Sequence, residues 1–370
     1  MNVGVLCFAS AGGSGTVATG LACELARQGH AVHVIAPARP FRLDPLPNGI
    51  RFHALCGEGD PAVAARSVAD VALAERLDVL HAHYAAPHAV VACLARDLLE
   101  GRHRLTVVST LHGTDVTASA DDASARAAIG RAIAASDGVT AVSRALADAA
   151  VAVFGVAPPH VIPNFVDPDA FRPCAAISGA DRPERTLLHV STLRPVKRAA
   201  DCVDVLTRVA DRTPCRLLIV GDGPDAATVR DRAAKLGVAD RVELAGEQLR
   251  VADFLARADV LLMPSASESF GVAALEAMSC GVPVVASRAG GVPEVVEDGV
   301  CGRLLPVGDV DGMASAILGI LADRHRARAM GEAGRRIAVE RFDVTRIVPR
   351  YASFYREAER RACGAARRPA

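Results

Sequence analysis

The sequence predicts an α/β protein with two doubly wound, mostly parallel sheets. Short runs rich in Val, Ile and Leu alternate along the chain with Ala- and Arg-rich amphipathic stretches, which is the pattern of βα units. At 370 residues the chain is too long for one ordinary core, since a domain usually holds about 100–200 residues. Residues 158–168 contain four prolines, which disfavour helix and mark a connection between two halves of similar size.

The apolar runs place the strands of each half, and amphipathic stretches place helices between them. In the first half the predicted strands are Val3–Phe8, Ala31–Ile35, Ile50–Leu55, Val79–Ala82, Thr106–Thr110 and Gly138–Val142, and the helices include Ser14–Gln28, Ala62–Arg76 and Ser143–Phe154. In the second half the predicted strands are Thr186–Val190, Arg216–Val220, Arg241–Leu244, Val260–Met263 and Val282–Ala286. A last helix is predicted at Ile347–Arg361.

These elements predict a Rossmann-like domain over residues 1–165 and a second one over residues 166–344. We expect the C-terminal helix, within about residues 345–370, to pack back on the first domain. Doubly wound sheets bind ligands at the carboxyl ends of their strands. We therefore expect the two domains to face each other across a ligand-binding cleft.

Composition excludes several classes of protein. Lys and Arg total 42 and Asp and Glu total 42, so there is no overall basic charge for binding nucleic acid. No apolar run reaches the 18 or so residues of a membrane span, and the first residues resemble a strand rather than a signal peptide. The ten cysteines form no CxxC pair, which favours reduced thiols in the cytoplasm over disulfides or zinc.

A glycine-rich loop, Gly12-Gly13-Ser14-Gly15, follows the first strand and begins a helix. Glycines let backbone N–H groups approach an anion, and a helix N-terminus favours negative charge. The spacing differs from G-x-G-x-x-G, and no acidic residue ends the second strand, which disfavours an NAD enzyme. A tight turn without a ligand is the alternative.

Three cations, Arg194, Lys197 and Arg198, follow the strand Thr186–Val190. Such a group suits a diphosphate, because Arg offers a planar fork and Lys a compact charge. Only two of the 42 basic residues are lysines, the other being Lys235, so a lysine at this position indicates a need for one. A solvated loop is the alternative.

Two glutamates, Glu268 and Glu276, lie eight positions apart around the start of a predicted helix. The backbone N–H groups of residues 270–272 would point at a phosphate there, and a carboxylate can accept from both hydroxyls of a ribose. Two solvated surface glutamates are the alternative.

A set of histidines, His81, His83, His88 and His112, lies in or after the predicted strands Val79–Ala82 and Thr106–Thr110. His81 and His83 share one strand face, an arrangement that permits a metal pair. No third ligand occurs at a familiar spacing, so we favour a polar cleft lined by these side chains and predict no metal site.

Together these motifs resemble the GT-B glycosyltransferases of family 4 over essentially the whole chain to about residue 356. Four motifs occur in the family's order. They are the glycine loop, the pair Arg194 and Lys197, the glutamates Glu268 and Glu276 in an E-x7-E pattern, and a turn at residues 290–294. Within the family the similarity is greatest to enzymes that join GlcNAc from UDP-GlcNAc to L-malate in bacillithiol biosynthesis. The shared segments are residues 12–15, 40–43, 81–89, 111–117 and 196–198.

The resemblance implies a GT-B fold and sugar transfer with retention of configuration, without a bound metal or other cofactor. It implies that residues 1–165 bind the acceptor and residues 166–344 the nucleotide sugar. Arg194 and Lys197 would hold the UDP pyrophosphate, Glu276 the ribose and Glu268 the donor sugar, with His112 at the sugar ring. The implied site residues are, for catalysis, His112, Glu268, Lys197 and Arg194; for the donor, Gly13, Arg194, Lys197, Glu268, Phe270, Gly271, Val272 and Glu276; and for the acceptor, Ser14, Tyr84, Thr114 and Arg131.

One segment departs from the pattern expected for malate-using relatives. The stretch between Leu55 and Leu77 is short and reads Cys-Gly-Glu-Gly-Asp-Pro at residues 56–61, where an aromatic Pro-Pro-Tyr-like segment is expected. Since this region lies near the acceptor in relatives, another small hydroxylated acceptor stays open. A UDP-GlcNAc 2-epimerase and a non-catalytic nucleotide-binding protein are further alternatives for the function. For the oligomeric state, the sequence leaves a homodimer open.

Overall fold

The structure is a computed structural model that describes residues 1–9, 12–40, 43–57, 59–117, 122–173 and 183–365. Parts of three stretches named above lie outside these ranges, namely Phe41 and Arg42 of residues 40–43, Glu58 of residues 56–61, and residues 366–370 of the stretch 345–370. The chain divides into two compact units. One comprises Met1–Asn164 with Val344–Ala370, and the other comprises Phe165–Asp343.

The first unit contains a parallel sheet with the strand order β3-β2-β1-β4-β5-β6-β7. Its strands are β1 (Asn2–Leu6), β2 (Ala31–Ala36), β3 (Ile50–Ala54), β4 (Val79–His83), β5 (Thr106–Leu111), β6 (Gly138–Ala141) and β7 (His160–Val161). The six predicted strands are confirmed to within two residues at each end. The direction of winding reverses between β1 and β4, and such a reversal opens a crevice at the carboxyl ends of the strands.

Helices of the first unit connect these strands. They are α1 (Gly13–Arg27), α2 (Pro61–Ala74), α3 (Val90–Leu98), α4 (Thr114–Thr117), α5 (Ala123–Ala135) and α6 (Arg144–Phe154). Asp60, Asp122 and Ser143 accept backbone hydrogen bonds at the starts of α2, α5 and α6. Gly12 caps α1 and, as a glycine, offers no side-chain acceptor to the first N–H groups of that helix.

The second unit repeats the plan with the strand order β10-β9-β8-β11-β12-β13, again parallel. Its strands are β8 (Arg185–Val190), β9 (Cys215–Val220), β10 (Val242–Leu244), β11 (Val260–Met263), β12 (Val284–Ser287) and β13 (Gly302–Leu305). Its helices are α7 (Ala199–Ala210), α8 (Ala226–Lys235), α9 (Val251–Leu255), α10 (Val272–Ser279), α11 (Val292–Val295), α12 (Val310–Leu321) and α13 (Arg324–Phe342). The five predicted strands are present, and β8 and β11 flank the reversal.

The last helix, α14 (Val344–Ala365), belongs to the first unit and is longer than the predicted Ile347–Arg361. The Tyr355 hydroxyl lies 2.7 Å from Nδ1 of His81, and both side chains are fully buried. Phe354 covers Gly138 at the start of β6. The C-terminal helix is therefore anchored to the centre of the first sheet. Among the described helices, none combines the length and apolarity that crossing a bilayer requires.

We expect Gly138→Ala to lower the free energy of unfolding by about 1–3 kcal/mol, because it overpacks the contact with α14. A Cβ at position 138 would lie 2.7 Å from Cε1 of Phe354 and 3.2 Å from Cβ of Ala358. Urea denaturation measures the change. Gly319→Ala in α12 is the control, since a Cβ there meets nothing within 4 Å, and it should be neutral or stabilising. Equal stabilities of the two variants would contradict this packing.

Candidate active site

The loops that follow β1, β4 and β5 carry a ring cluster formed by Phe8, Tyr84, His88 and His112. The Tyr84 ring stacks on that of His112 at 5.6 Å between centroids and 17° between planes. Phe8 meets Tyr84 edge-on at 5.2 Å and packs on His88 at 4.3 Å. These rings lie at the carboxyl ends of strands on both sides of the reversal, where a doubly wound sheet binds its ligand. Phe8 was not identified from sequence, because a single Phe after a strand carries no motif.

Tyr84 has a backbone conformation that is rare for an aromatic residue. Its φ is +94°, in a region that glycine occupies readily and bulky residues avoid. The conformation is held by hydrogen bonds from Tyr84 N–H to the Thr110 carbonyl at 3.0 Å and from Ala89 N–H to the Tyr84 carbonyl at 3.1 Å. Strain of this kind persists where the surrounding structure fixes it, often at functional sites.

Asp115 ties the loops after β4 and β5 together. Its buried carboxylate accepts hydrogen bonds from the backbone N–H groups of Ala85 at 3.0 Å, Gly113 at 2.7 Å and His112 at 3.2 Å. Burial raises the pKa of Asp115, and these backbone donors oppose the shift by favouring the ionised form. Asp115 thus sets the positions of His112 and of the chain after Tyr84. Asp115 belongs to the segment 111–117. No role was predicted for it from sequence, because its bond to Ala85 spans 30 residues.

The histidines of β4 bond to other side chains instead of converging on a common point. His81 contacts the Tyr355 hydroxyl through Nδ1 and the Thr110 hydroxyl, at 2.6 Å, through Nε2. His83 Nδ1 lies 2.9 Å from Nε2 of His112. Both nitrogens of His81 are therefore engaged within the protein, and the His83 ring orients that of His112.

Burial also determines the charge of the four histidines His81, His83, His88 and His112. It lowers the pKa of His112 and of His81 to about 3 and that of His88 to about 4, and it lowers the pKa of His83 well below the usual value. The four imidazoles are therefore neutral at neutral pH. His112 can offer hydrogen bonds to a ligand but no positive charge.

The remaining residues implied for the acceptor lie on α1, α4 and α5. Ser14 is half-buried in the first turn of α1, beside the exposed Gly13, and Thr114 begins α4 directly after the His112 loop. Arg131 is exposed on α5, which packs against the segment that follows Tyr84. The structure brings Tyr84, His112 and the start of α4 together and places Arg131 on the flanking helix.

In the second unit, the cation and the carboxylate singled out from sequence meet directly. Lys197 Nζ lies 2.6 Å from Oε1 of Glu268, and their side chains are 17% and 11% exposed. The Ser265 hydroxyl donates to the same Oε1 at 2.8 Å. The backbones of the two loops are joined as well, since Ala266 N–H donates to the Val196 carbonyl at 2.8 Å. The loops after β8 and β11 thus form one structure at the reversal of the second sheet.

The other two cations of this segment differ in their surroundings. Arg194 is exposed at the end of β8, whereas Arg198 bonds to Asp201 in the first turn of α7 at 2.8 Å. Arg194 is therefore accessible to a ligand in addition to Lys197. Arg198 instead bonds to Asp201 of α7.

A tight loop after β9 supports the segment that carries Arg194. Leu193 N–H donates to the Asp222 carbonyl at 2.9 Å, and Asp225 N–H donates to the Leu193 carbonyl at 2.9 Å. Gly221 has a φ of +121°, and a Cβ there would lie 1.8 Å from the Ser191 carbonyl oxygen. Sequence reasoning missed this support. The Gly-Asp-Gly-Pro run at residues 221–224 was the available signal.

The start of α10 carries the remaining donor-side residues. Glu276 is buried in the second turn, Phe270 is buried edge-on against Phe342, and Gly271 caps the helix with a φ of +98°. Gly291 N–H donates to the Glu268 carbonyl at 2.9 Å, and a Cβ at Gly290 would lie 1.9 Å from that carbonyl oxygen. The turn at residues 290–294 therefore fixes the backbone of Glu268.

Comparisons with known proteins agree with this organisation. Residues 11–170 match the model of Glycosyltransferase Family 4, and residues 175–337 match that of Glycosyl transferases group 1. The chain is 38% identical to the N-acetyl-alpha-D-glucosaminyl L-malate synthase of Bacillus anthracis, over 96% of each chain. This chain belongs to glycosyltransferase family 4.

This family 4 glycosyltransferase is also similar to a relative named for another donor and to a solved structure. A GDP-mannose-dependent alpha-(1-6)-phosphatidylinositol monomannoside mannosyltransferase of Mycolicibacterium smegmatis is 37% identical over 69% of this chain and 70% of its own. The solved structure of Anabaena HepE in complex with UDP-glucose superposes with a TM-score of 0.84 at 23% identity, covering 96% of this chain and 100% of that one. At that identity the likeness shows the fold, which is GT-B.

We expect the family 4 enzyme to lose stability as the pH falls from 6.5 to 5. Burial lowers the pKa of His81, His83, His88, His112 and His189 in the folded protein, while the unfolded chain titrates near 6.5. Below pH 6.5 the unfolded state therefore binds more protons than the folded state. Each such histidine therefore lowers the stability progressively as the pH falls below 6.5. Scanning calorimetry between pH 7.5 and 5 measures the effect.

His325→Gln is the matched control, since this histidine is exposed on α13, and the variant should lose stability with acid as the wild type does. A Tm that stays constant between pH 6.5 and 5 would contradict the prediction that these five buried histidines are neutral in the folded protein.

Proposed function

We propose that this enzyme transfers GlcNAc from UDP-GlcNAc to the hydroxyl of L-malate, with retention of configuration and release of UDP. The observation that carries the proposal is the 38% identity with a GlcNAc-malate synthase over 96% of both chains. The motifs shared with malate-using enzymes add support, since they include the residues 81–89 and 111–117 that form the ring cluster. In this proposal the nucleotide part of the donor binds mainly the second unit, and the acceptor binds the first.

The diphosphate of the donor would bind Arg194 and Lys197. An ammonium group has three N–H donors, so Lys197 can keep its bond to Glu268 and still donate to phosphate oxygens. When the bond to the sugar breaks, negative charge grows on the leaving UDP, and a cation already fixed in place stabilises it without reorganisation. The hydrogen bonds to Glu268 supply that fixing.

The rest of the donor would be recognised by hydrogen bonds. Glu276, in the second turn of α10, would accept from the ribose hydroxyls, and Glu268 would accept from the donor sugar. The N–H groups at Phe270, Gly271 and Val272 and at Gly13 would donate to phosphate oxygens, because helix N-termini favour anions.

On the acceptor side, Ser14, Tyr84 and Thr114 offer hydroxyl groups, and Arg131 offers a partner for a malate carboxylate. His112 is neutral and would hydrogen-bond the sugar ring. The malate hydroxyl would attack the anomeric carbon on the face that UDP leaves, and a leaving phosphate oxygen would take its proton. No carboxylate nucleophile is required in this route.

Family 4 transfer to a different small hydroxylated acceptor is the second candidate. It is favoured by the segment at residues 56–61, where the chain departs from the malate-using pattern.

UDP release from UDP-GlcNAc tests the function directly. It should be measured with L-malate, with other hydroxy acids, with inositol phosphate and without acceptor, and the products should be identified by mass spectrometry. We expect L-malate to give the fastest release and a GlcNAc-malate product. Faster release with another acceptor would favour the second candidate. An epimer formed from UDP-GlcNAc alone would indicate a 2-epimerase, and no release under any condition would indicate a binding protein.

We expect turnover to persist in excess EDTA, because the fixed cations of the second unit would neutralise the leaving diphosphate without a bound metal. The measurement is the initial rate of UDP release before and after chelation. Loss of activity that Mg²⁺ or Mn²⁺ restores would contradict metal-independent transfer.

We expect Arg131→Ala to raise the KM for L-malate strongly and to leave UDP affinity unchanged, since the two ligands would bind different units. Steady-state kinetics with varied malate and calorimetric titration of UDP separate the effects. Arg126→Ala is the control, because Arg126 lies on the same helix and is also exposed. An unchanged malate KM in Arg131→Ala would assign Arg131 to the solvated surface.

A further inference from the structure

Three side chains that play no part in the transfer chemistry meet at another place in the first unit. His33 Nδ1 lies 3.0 Å from Nε2 of His53 and 3.9 Å from Oε2 of Glu75. The donor atoms of the three residues all lie within 4.8 Å of one another. Glu75 follows α2 and precedes β4, whereas His33 and His53 lie within β2 and β3, so none of the three belongs to the loops after β1, β4 and β5.

Strand register explains the convergence. His33 of β2 pairs with Arg51 of β3, and Ile35 pairs with His53. Alternate residues of a strand share a face, so His33, Arg51 and His53 lie on the same side of the sheet. Ile35 packs in the core beneath α2, which identifies this side as the one that α2 covers. The helix then brings Glu75, its C-terminal capping residue, over the two imidazoles.

We propose that His33, His53 and Glu75 form a binding site for a divalent transition metal of the Zn²⁺ class. Two imidazole nitrogens and one carboxylate oxygen are a common ligand set for zinc, with a fourth position left for water. Bonds of about 2.0–2.2 Å to a tetrahedral ion separate neighbouring ligand atoms by roughly 3.4 Å. The separations of 3.0 and 3.9 Å lie on either side of that value.

The surroundings favour a cation. The C-terminus of a helix carries partial negative charge, which adds to the Glu75 carboxylate at the end of α2. A metal ion binds an imidazole through the lone pair of a ring nitrogen that carries no proton, and each of the two rings offers such a nitrogen in one tautomer. In the metal-bound form each ring keeps its proton on the nitrogen that faces away from the ion.

Arg51 is the competitor for this position. Its Nη1 lies 2.7 Å from Oε2 of Glu75, and its side chain is 69% exposed. An exposed ion pair of this kind contributes little stability, so the guanidinium can move into solvent when a metal binds the carboxylate. The proposal therefore requires that removal of Arg51 strengthen metal binding, whereas a purely structural cluster has no such requirement.

Calorimetric titration of the tag-free, chelator-treated chain with ZnCl₂ tests the site. We expect one ion per chain, at least tenfold weaker binding in His53→Gln and in Glu75→Gln, and several-fold tighter binding in Arg51→Gln. His160→Gln and Arg104→Gln are the matched controls, as exposed residues of the same unit, and should bind as the wild type does. Thermal unfolding without metal checks that every variant folds.

Titration of the wild type with Co²⁺ is a second test that needs no variant, because a four-coordinate Co²⁺ ion absorbs visible light strongly. Absence of stoichiometric Zn²⁺ binding, absence of the four-coordinate Co²⁺ spectrum, or full binding by His53→Gln would each overturn the proposal. Weaker binding by Arg51→Gln would also overturn it.

Discussion

The bond between Lys197 and Glu268 is the contact on which the organisation of the second unit's site depends. It joins the loops after β8 and β11, the two strands on either side of the reversal. Both groups are mostly buried, so solvent screens their attraction less than at an exposed pair. The Ser265 hydroxyl and the turn at residues 290–294 hold the carboxylate from other directions. The position of the Lys197 ammonium group is therefore set by the protein's own residues.

In the first unit, hydrogen bonds also fix the side chains of the ring cluster. Among the described residues, this cluster contains no buried cation. Backbone N–H groups converge on Asp115, and neutral imidazoles bond to hydroxyl groups and to one another. Such a network orients the rings around Tyr84 and contributes no net positive charge. An acidic acceptor would then need hydroxyl donors such as those of Ser14 and Thr114 and a cation from a neighbouring helix, the role that the proposal gives to Arg131.

Sequence predicted the strands well because central strands of a parallel sheet are buried on both faces and read as continuous apolar runs. The strands β7 and β13 were missed. The first has two residues inside a proline-rich segment, and the second contains Gly302 and Arg303 among its four residues. The cation pair and the two glutamates were found because each motif is local in sequence. Phe8, Asp115 and Gly221 were not, since their roles depend on contacts between separate loops. The pairing of His81 with Tyr355 spans 274 residues and has no local signal.

The central claim is that Lys197 stabilises the leaving diphosphate, and turnover of lysine variants tests it most directly. Lys235, the only other lysine, is exposed at the end of α8 and supplies a matched control. Removing a fixed donor to a developing charge typically lowers kcat by about 10²–10³. The account predicts a loss of that size in Lys197→Ala with the fold retained, partial recovery in Lys197→Arg, and wild-type kcat in Lys235→Ala. Wild-type turnover by Lys197→Ala would contradict it.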